Sequence, residues 1–347
     1  MEIRKKLHEA LHIDLDAIDD ALNQVVLSDP DVQQSSVISD SILQLIRSGG
    51  KRLRPIMVVV GARFGADPVN SDSESSFSTN SSHGSKTDQT PADHTIRIAA
   101  ILEYLHMASL IHDDIIDRSD LRRNEPTLHK LTNTYTATHI ANYMMARALE
   151  WATLSNHDDV IRIVGATSIL TQLCIGEYQQ LYNQYNFDIS METYLEKTRN
   201  KTALLMANCL RSGAEIANAD PHTCQLLFEF GECIGMSFQI KDDLLDYTHT
   251  SGDIGKPAGS DLRNGNVTLP VLFGLEDPSL SMQIRSLDAG SSAEEVQRVV
   301  ELIANSDALV RSAELSASYL QQANAIIEKL KAYPAHADLQ IILEYFT

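Results

Sequence analysis

The sequence predicts an all-α protein, and three observations carry that expectation. Apolar residues recur at spacings of three and four through ILEYLHMASLIHDDII (101–116), YLEKTRNKTALLMANCLRSGA (194–214) and LLFEFGECIGMSFQIKDDLLDY (226–247). That is the signature of helices that bury one face. No two alternating runs are joined by a hairpin signal, and the Gly49-Gly50 pair and Pro55 fall where one helix should stop and the next begin.

From the N-terminus, MEIRKKLHEALHID is charged throughout and has no apolar h-region, so no signal peptide is expected. The longest apolar runs, such as IMVVVGA at 56–62, are far too short to span a bilayer. The chain of 347 residues can bury a large core, and its 28 Lys plus Arg against 47 Asp plus Glu give a formal charge of -19. Nucleic acid and anionic membrane surfaces are thereby disfavoured as partners. Cys174, Cys209, Cys224 and Cys233 have no zinc-like or CxxC spacing and read as reduced thiols of a cytoplasmic protein.

Residues 66–95 break the helical pattern with eight serines between 71 and 85 and almost no apolar side chains. Such a stretch cannot offset its own ordering entropy and reads as a flexible Ser-rich insertion between two helices. The loop THTSGDIGKPAGSDLRNGNVTLP (248–270) differs, mixing four glycines with Asp253, Lys256, Asp261 and Arg263, and reads as a site loop.

Two acidic runs need a physical reason. Asp113, Asp114 and Asp117 stand at i, i+1 and i+4 at the end of one apolar helix, and Asp242, Asp243 and Asp246 repeat the pattern at the end of another. Chance supplies about 0.08 copies of DDxxD in a chain this long. Helical spacing places Asp113 with Asp117, and Asp242 with Asp246, on one face. The like charges repel, and a helix C-terminus makes the repulsion worse. A divalent cation removes both costs, and oxygen-only ligands favour Mg²⁺ or Ca²⁺. Mg²⁺ suits so sparse a set, because it keeps waters and bridges carboxylates to phosphate.

The basic residues gather around these runs. GGKRLRP (49–55) supplies Lys51, Arg52 and Arg54; Arg122 and Arg123 follow the first acidic run; Lys201, Lys256 and Arg263 stand near the other motifs. In an acidic chain they define two anion sites, one reached through metal and one held by Lys and Arg directly.

GGKRLRP, HMASLIHDDIIDRSDLRRNEPT, GEYQQ, KTALL, FQIKDDLLDY and GKPAGSDLRNGNVTLP, in that order, resemble the trans-polyprenyl diphosphate synthases, a prenyltransferase family, over most of the chain. The likeness is greatest to members that make heptaprenyl chains. The resemblance implies a single domain over 1–347 with an isoprenoid synthase-type bundle of about ten or more helices around a deep central cavity, and a homodimer or a hetero-oligomer with a small second subunit. It implies that Asp113, Asp117 and Asp242 bind about two to three Mg²⁺ ions. Lys51, Arg54, His106 and Arg123 are then assigned to isopentenyl diphosphate, and Arg122, Lys201 and Lys256 to the allylic diphosphate. Thr202 and Gln239 present oxygens near the reacting carbons, and Asp114, Asp243 and Asp246 complete the motifs as outer partners.

Departure of diphosphate from an allylic carbon separates charge, which suits that set of cations. Ala108 and Ser109, below Asp113, are small where short-chain members often carry an aromatic. Growth past them toward Leu105, Leu102 and Ile101 therefore implies products of about twenty carbons or longer, heptaprenyl favoured. Two departures stand out: Ala141-Asn142 replaces the usual Gly-Asp, with Asn142 read as a helix cap, and the chain ends EYFT rather than in a basic tail, which argues against closure of the site by that end. A terpene cyclase would carry an Asn/Ser/Glu metal triad in place of DDLLD, and a non-catalytic helical subunit would have lost an acidic motif or the cations.

Overall fold

The computed structural model describes residues 7–33, 35–65, 91–123, 125–153, 169–248 and 259–347. The main helices are α1 (Asp16–Leu27), α2 (Ser36–Arg47), α3 (Leu53–Ala62), α4 (Pro91–Ile116), α5 (Thr134–Thr153), α6 (Ile169–Tyr182) and α7 (Met191–Thr198). A π-turn, Arg199–Ala203, then leads into α8 (Leu204–Ile216), followed by α9 (Pro221–Thr248), α10 (Leu269–Gly274), α11 (Pro278–Arg285), α12 (Ala293–Ala304), α13 (Ala308–Lys329) and α14 (His336–Phe346). No helix among the described residues is long and apolar enough to cross a membrane.

The centre is made by helices that approach on small residues. A Cβ on Gly61 of α3 would stand 2.0 Å from the Leu210 carbonyl oxygen, and one on Gly213 of α8 would stand 1.9 Å from that of Val58. Any side chain at either position would push α3 and α8 apart. Helix α9 meets the π-turn in the same way, with the Cα of Ala203 only 2.5 Å from where a Cβ on Gly235 would lie. Long α9 joins two apolar clusters: Phe230 and Ile234 sit in the main core with α3, α4 and α8, whereas Ile240 and Tyr247 pack with α10, α11 and α12. Its acidic run is thus anchored from behind while its front faces the cavity.

Several expectations are refined. Residues 66–90 of the Ser-rich insertion lie outside the described residues, but 91–95 already form the first turn of α4. Pro91 opens that helix and Thr95 is buried, a local signal that segment-wide composition concealed. A two-stranded ribbon pairs Leu121 with Pro126 and Arg122 with Glu125; strands this short leave no alternation to read. Asn142 is not a cap: it lies inside α5, and its side chain hydrogen-bonds the His112 ring. Of the loop at 248–270, residues 249–258, with Asp253 and Lys256, lie outside the described residues.

Candidate active site

A cavity of about 720 Å³ opens between α3, α4, α6, α7, the π-turn and α9, and both acidic runs line it. Asp113 and Asp117 face it from α4, and Asp242, Asp243 and Asp246 from α9. Lys51, Arg54, His106, Ser109, Arg122, Arg123, Lys201, Thr202 and Gln239 complete the set of expected residues on its walls.

On the first wall the Lys201 ammonium lies 3.0 Å from Glu177 Oε2, 3.2 Å from Gln180 Oε1 and 3.4 Å from Asp113 Oδ1. Gly176 makes this possible, since a Cβ there would stand 2.6 Å from the Lys201 backbone nitrogen. The π-turn carries Lys201 and Thr202; such bulges recur at functional sites because they re-aim side chains without breaking the helix. Burial and the adjacent Asp113 carboxylate push the Glu177 carboxyl up to about 8. Burial opposes the charge on Lys201, but Asp113 and Glu177 outweigh it and hold the ammonium above the ordinary lysine range.

Asp114 turns away from this group. Arg122 Nε donates to its Oδ1 at 2.8 Å, and the terminal guanidinium nitrogen reaches the same oxygen at 2.7 Å. Asp114 thereby orients Arg122, which still lines the cavity. Arg123 packs against Gly50, where a Cβ would stand 2.8 Å from its guanidinium, so the glycine pair both ends α2 and admits this side chain. Arg54, His106 and Arg123 form a cationic pocket. The His106 imidazole is held well below its usual pKa by burial and by Arg54, Arg122 and Arg123, so it is neutral. Arg54 Nε is buried and has no hydrogen-bond partner among the described residues.

Arg52, in the same motif, does something else. It is buried, with its guanidinium 2.9 Å from Asp19 and 3.1 Å from Glu103, and it donates to the Ile46 carbonyl. It touches the cavity wall beside Lys51 and Arg54, but its guanidinium is engaged in binding α1, α2 and α4 together.

On the second wall Asp243 is buried and accepts from Gln239 Nε2 at 3.0 Å and from the Tyr194 hydroxyl at 2.7 Å, and burial raises its pKa. Asp246 accepts from the backbone N–H groups of Ser260 and Asp261 at 3.0 and 2.9 Å, closing the short turn Ser260–Arg263 onto α9. Its pKa is pushed up to about 6 by burial and by Asp261. Asp242, which precedes both, is more exposed on the cavity wall.

The donor set suits a hard divalent cation. Asp113 Oδ1 and Glu177 Oε1 are buried oxygens that accept no hydrogen bond among the described residues. No three acidic, His or Cys side chains among the described residues converge on one point. A metal here must complete its shell with water and substrate oxygens, which is the habit of Mg²⁺.

The chain-length positions separate. Ser109 lines the cavity and donates to the His106 carbonyl at 2.8 Å. Ala108 is 0% exposed, and Ile101, Leu102 and Leu105 are packed to 1% or less. The continuation expected below the first motif is thus filled with side chains, and the cavity turns toward Leu110, Leu173 and Leu205 instead. At the mouth, the Tyr345 ring of α14 lies 5.7 Å from Lys51 Nζ, and Phe346 packs edge-on to Phe238 at 5.7 Å. Helix α14 thus brings Tyr345 and Phe346 to the edge of the site. Sequence reasoning missed Glu177 and Lys197. Glu177 sits in GEYQQ, and Lys197 precedes Lys201 by one turn, so spacing was the available signal.

Two acidic walls facing one cavity, with lysines and arginines between them in an all-helical shell, define a synthase that handles diphosphates of prenyl chains. Residues 35–305 match the polyprenyl synthetase family model, and the chain belongs to that family; it is a prenyltransferase that elongates trans-prenyl chains. It is 35% identical over 341 residues to heptaprenyl diphosphate synthase component 2 of Bacillus subtilis (strain 168), covering 98% of this chain and 89% of that protein. The heptaprenyl diphosphate synthase of Staphylococcus aureus superposes with a TM-score of 0.80 at 31% identity, covering 96% of this chain and 95% of that one. A polyprenyl synthase of Caulobacter crescentus, complexed with calcium and isoprenyl diphosphate, has a TM-score of 0.80 at 27% identity, covering 99% and 97%.

Proposed function

We propose that this protein condenses isopentenyl diphosphate with an allylic prenyl diphosphate, head to tail and with Mg²⁺, to give products of about twenty carbons or longer, heptaprenyl favoured. The observation that carries the reading is the pair of acidic walls, Asp113 with Asp117 and Asp242, set across one cavity from a separate cationic pocket. Mg²⁺ bound at those walls would neutralise the diphosphate as it leaves. Lys201 and Arg122, both charged and both oriented by carboxylates, hold the allylic diphosphate. Lys51, Arg54 and Arg123, with neutral His106, hold isopentenyl diphosphate. The Thr202 and Gln239 oxygens face the developing cation as dipoles and not as nucleophiles. No strong base stands among these groups, so the departing diphosphate is the natural acceptor of the proton lost.

Self-association or a small second subunit is supported by an apolar outer face on α6. Ile175, Tyr178, Leu181 and Tyr182 are exposed there, with the two tyrosine rings 5.9 Å apart. The B. subtilis and Geobacillus stearothermophilus relatives are named as components of a heptaprenyl synthase, which supports the hetero-oligomer. Four unpaired cysteines fit a cytoplasmic location.

The test is turnover of isopentenyl diphosphate with a farnesyl primer, with Mg²⁺ or with chelator, alone and with cell extract, and with products sized by mass spectrometry. Chelator-resistant turnover would overturn the metal part, and products stopping at the first condensation, about twenty carbons from this primer, would overturn the heptaprenyl preference.

A further inference from the structure

Lys197 is a cavity lysine that the acidic motifs and the Lys201 group leave unexplained. It stands on the last turn of α7, one turn ahead of Lys201, and lines the cavity between Lys201 and Asp243. Among the described residues no carboxylate comes within ion-pair distance of its ammonium, and its nearest cover is the Tyr194 ring, 5.0 Å from Nζ to the centroid. Asp243 is the strongest opposing charge it feels. Yet both oxygens of Asp243 are already taken, one by Gln239 and one by Tyr194. Burial accordingly drags the Lys197 pKa below the ordinary lysine value.

A half-buried ammonium without a counter-ion carries a desolvation cost that an arriving anion offsets. The recess behind Lys197, shared with Asn266 and Gln179, measures about 10 Å³ and holds one water at most. The anion must therefore come from the main cavity.

We propose that Lys197 is an additional anion-binding residue of this site, taking a terminal oxygen of the allylic diphosphate beside Lys201. The proposal rests on the prenyl-transfer reading and extends it: two lysines on one helical face, four residues apart, grip the leaving group from the side opposite Arg122. Lys197 touches substrate and stays clear of the isopentenyl diphosphate pocket formed by Arg54, His106 and Arg123.

The experiment compares wild type, Lys197→Met and Lys197→Arg. With both substrates and Mg²⁺, the Met variant should raise KM for the allylic diphosphate about tenfold and leave KM for isopentenyl diphosphate unchanged, and Arg should restore most of the loss. Without ligand the Met variant should melt no lower than wild type, because an unpaired, half-buried charge has been removed. Magnesium pyrophosphate should raise the melting temperature of wild type more than that of the Met variant. An unchanged allylic KM, an equal rise for both substrates, or a lower melting temperature without ligand would each overturn the role. A wild type that turns over neither substrate, alone or with cell extract, would refute the prenyl-transfer reading, and the pyrophosphate shift would then judge Lys197 by itself.

Discussion

Thr202 Oγ1 donates a 2.8 Å hydrogen bond to Gln239 Oε1, tying the π-turn to α9 across the floor of the cavity. The bond settles the orientation of the amide. With its oxygen toward Thr202, the Gln239 NH₂ points to Asp243 and donates at 3.0 Å. Tyr194 holds the other oxygen of Asp243, so four side chains from α7, the π-turn and α9 form one chain of hydrogen bonds.

On the proposed prenyl-transfer mechanism, that chain would hold two oxygen dipoles against the forming allylic cation. Removing either dipole should act on the transition state and not on substrate binding. Thr202→Val and Gln239→Leu should each lower kcat by about 10- to 100-fold with KM for both diphosphates nearly unchanged. Steady-state kinetics decides it: a rise in KM at constant kcat would make both residues ordinary binding contacts.

The two arginines of GGKRLRP should part company in experiment. Arg52→Met leaves Glu103, itself 4% exposed, buried without its partner, and should destabilise the fold by about 3–5 kcal/mol. Arg54→Met removes a buried cation whose Nε lacks a partner, so stability should hold while KM for isopentenyl diphosphate rises about tenfold or more. Denaturant unfolding and the two KM values separate them. Equal losses of stability would dissolve the distinction between strut and ligand.

Much of this was legible from spacing. Asp113 with Asp117, the aspartates of the second run and the lysine of KTALL all land on one cavity because helical periodicity determines their faces, whereas Asp114 turns to Arg122. What spacing could not distinguish was direction. Arg52 and Arg54 are two residues apart in the same motif, yet Arg52 adopts a left-handed backbone (φ 47°) and turns its guanidinium onto Asp19, Glu103 and the Ile46 carbonyl. Lys197 reads as one more charge on a polar stretch until the fold shows that it lines the cavity. Ala108 looks like tunnel lining beside Ser109, but one residue is a 100° rotation, enough to move a side chain from cavity to core.

Glu177 sets a pH dependence. Its folded-state pKa, pushed up to about 8, lies above the ordinary 4.5. The folded chain keeps a proton that the unfolded chain has lost, so this group's contribution to stability declines as pH rises from 4.5 to about 8. In chelator, wild type should therefore lose stability relative to Glu177→Gln across that window, by on the order of 1 kcal/mol or more. Thermal melts of both proteins at several pH values measure the difference. Parallel curves would mean that Lys201 keeps Glu177 ionised throughout.

Product length should respond to Ser109 and not to Ala108. Ser109 opens on the cavity a turn below Asp113, and its hydroxyl is folded back on the His106 carbonyl, leaving space above the apolar lining of Leu110, Leu173 and Leu205. A ring at 109 would occupy the path of the growing tail without reaching the carboxylates. Ser109→Phe should therefore shorten the product by at least a single isoprene unit with little change in the rate of the first condensation. Ala108 has no exposed surface, and one turn further down the same face Tyr104 is locked against Trp151 with ring centroids 4.9 Å apart. A phenylalanine at 108 has nowhere to go but into that packing, which should cost about 1–3 kcal/mol of stability and leave chain length alone. Mass spectrometry of products and unfolding midpoints of both variants test the assignment. Shortened products from a fully stable Ala108→Phe would mean that the tail runs down the other face of α4 and opens the packing at Leu105 and Leu102 as it grows.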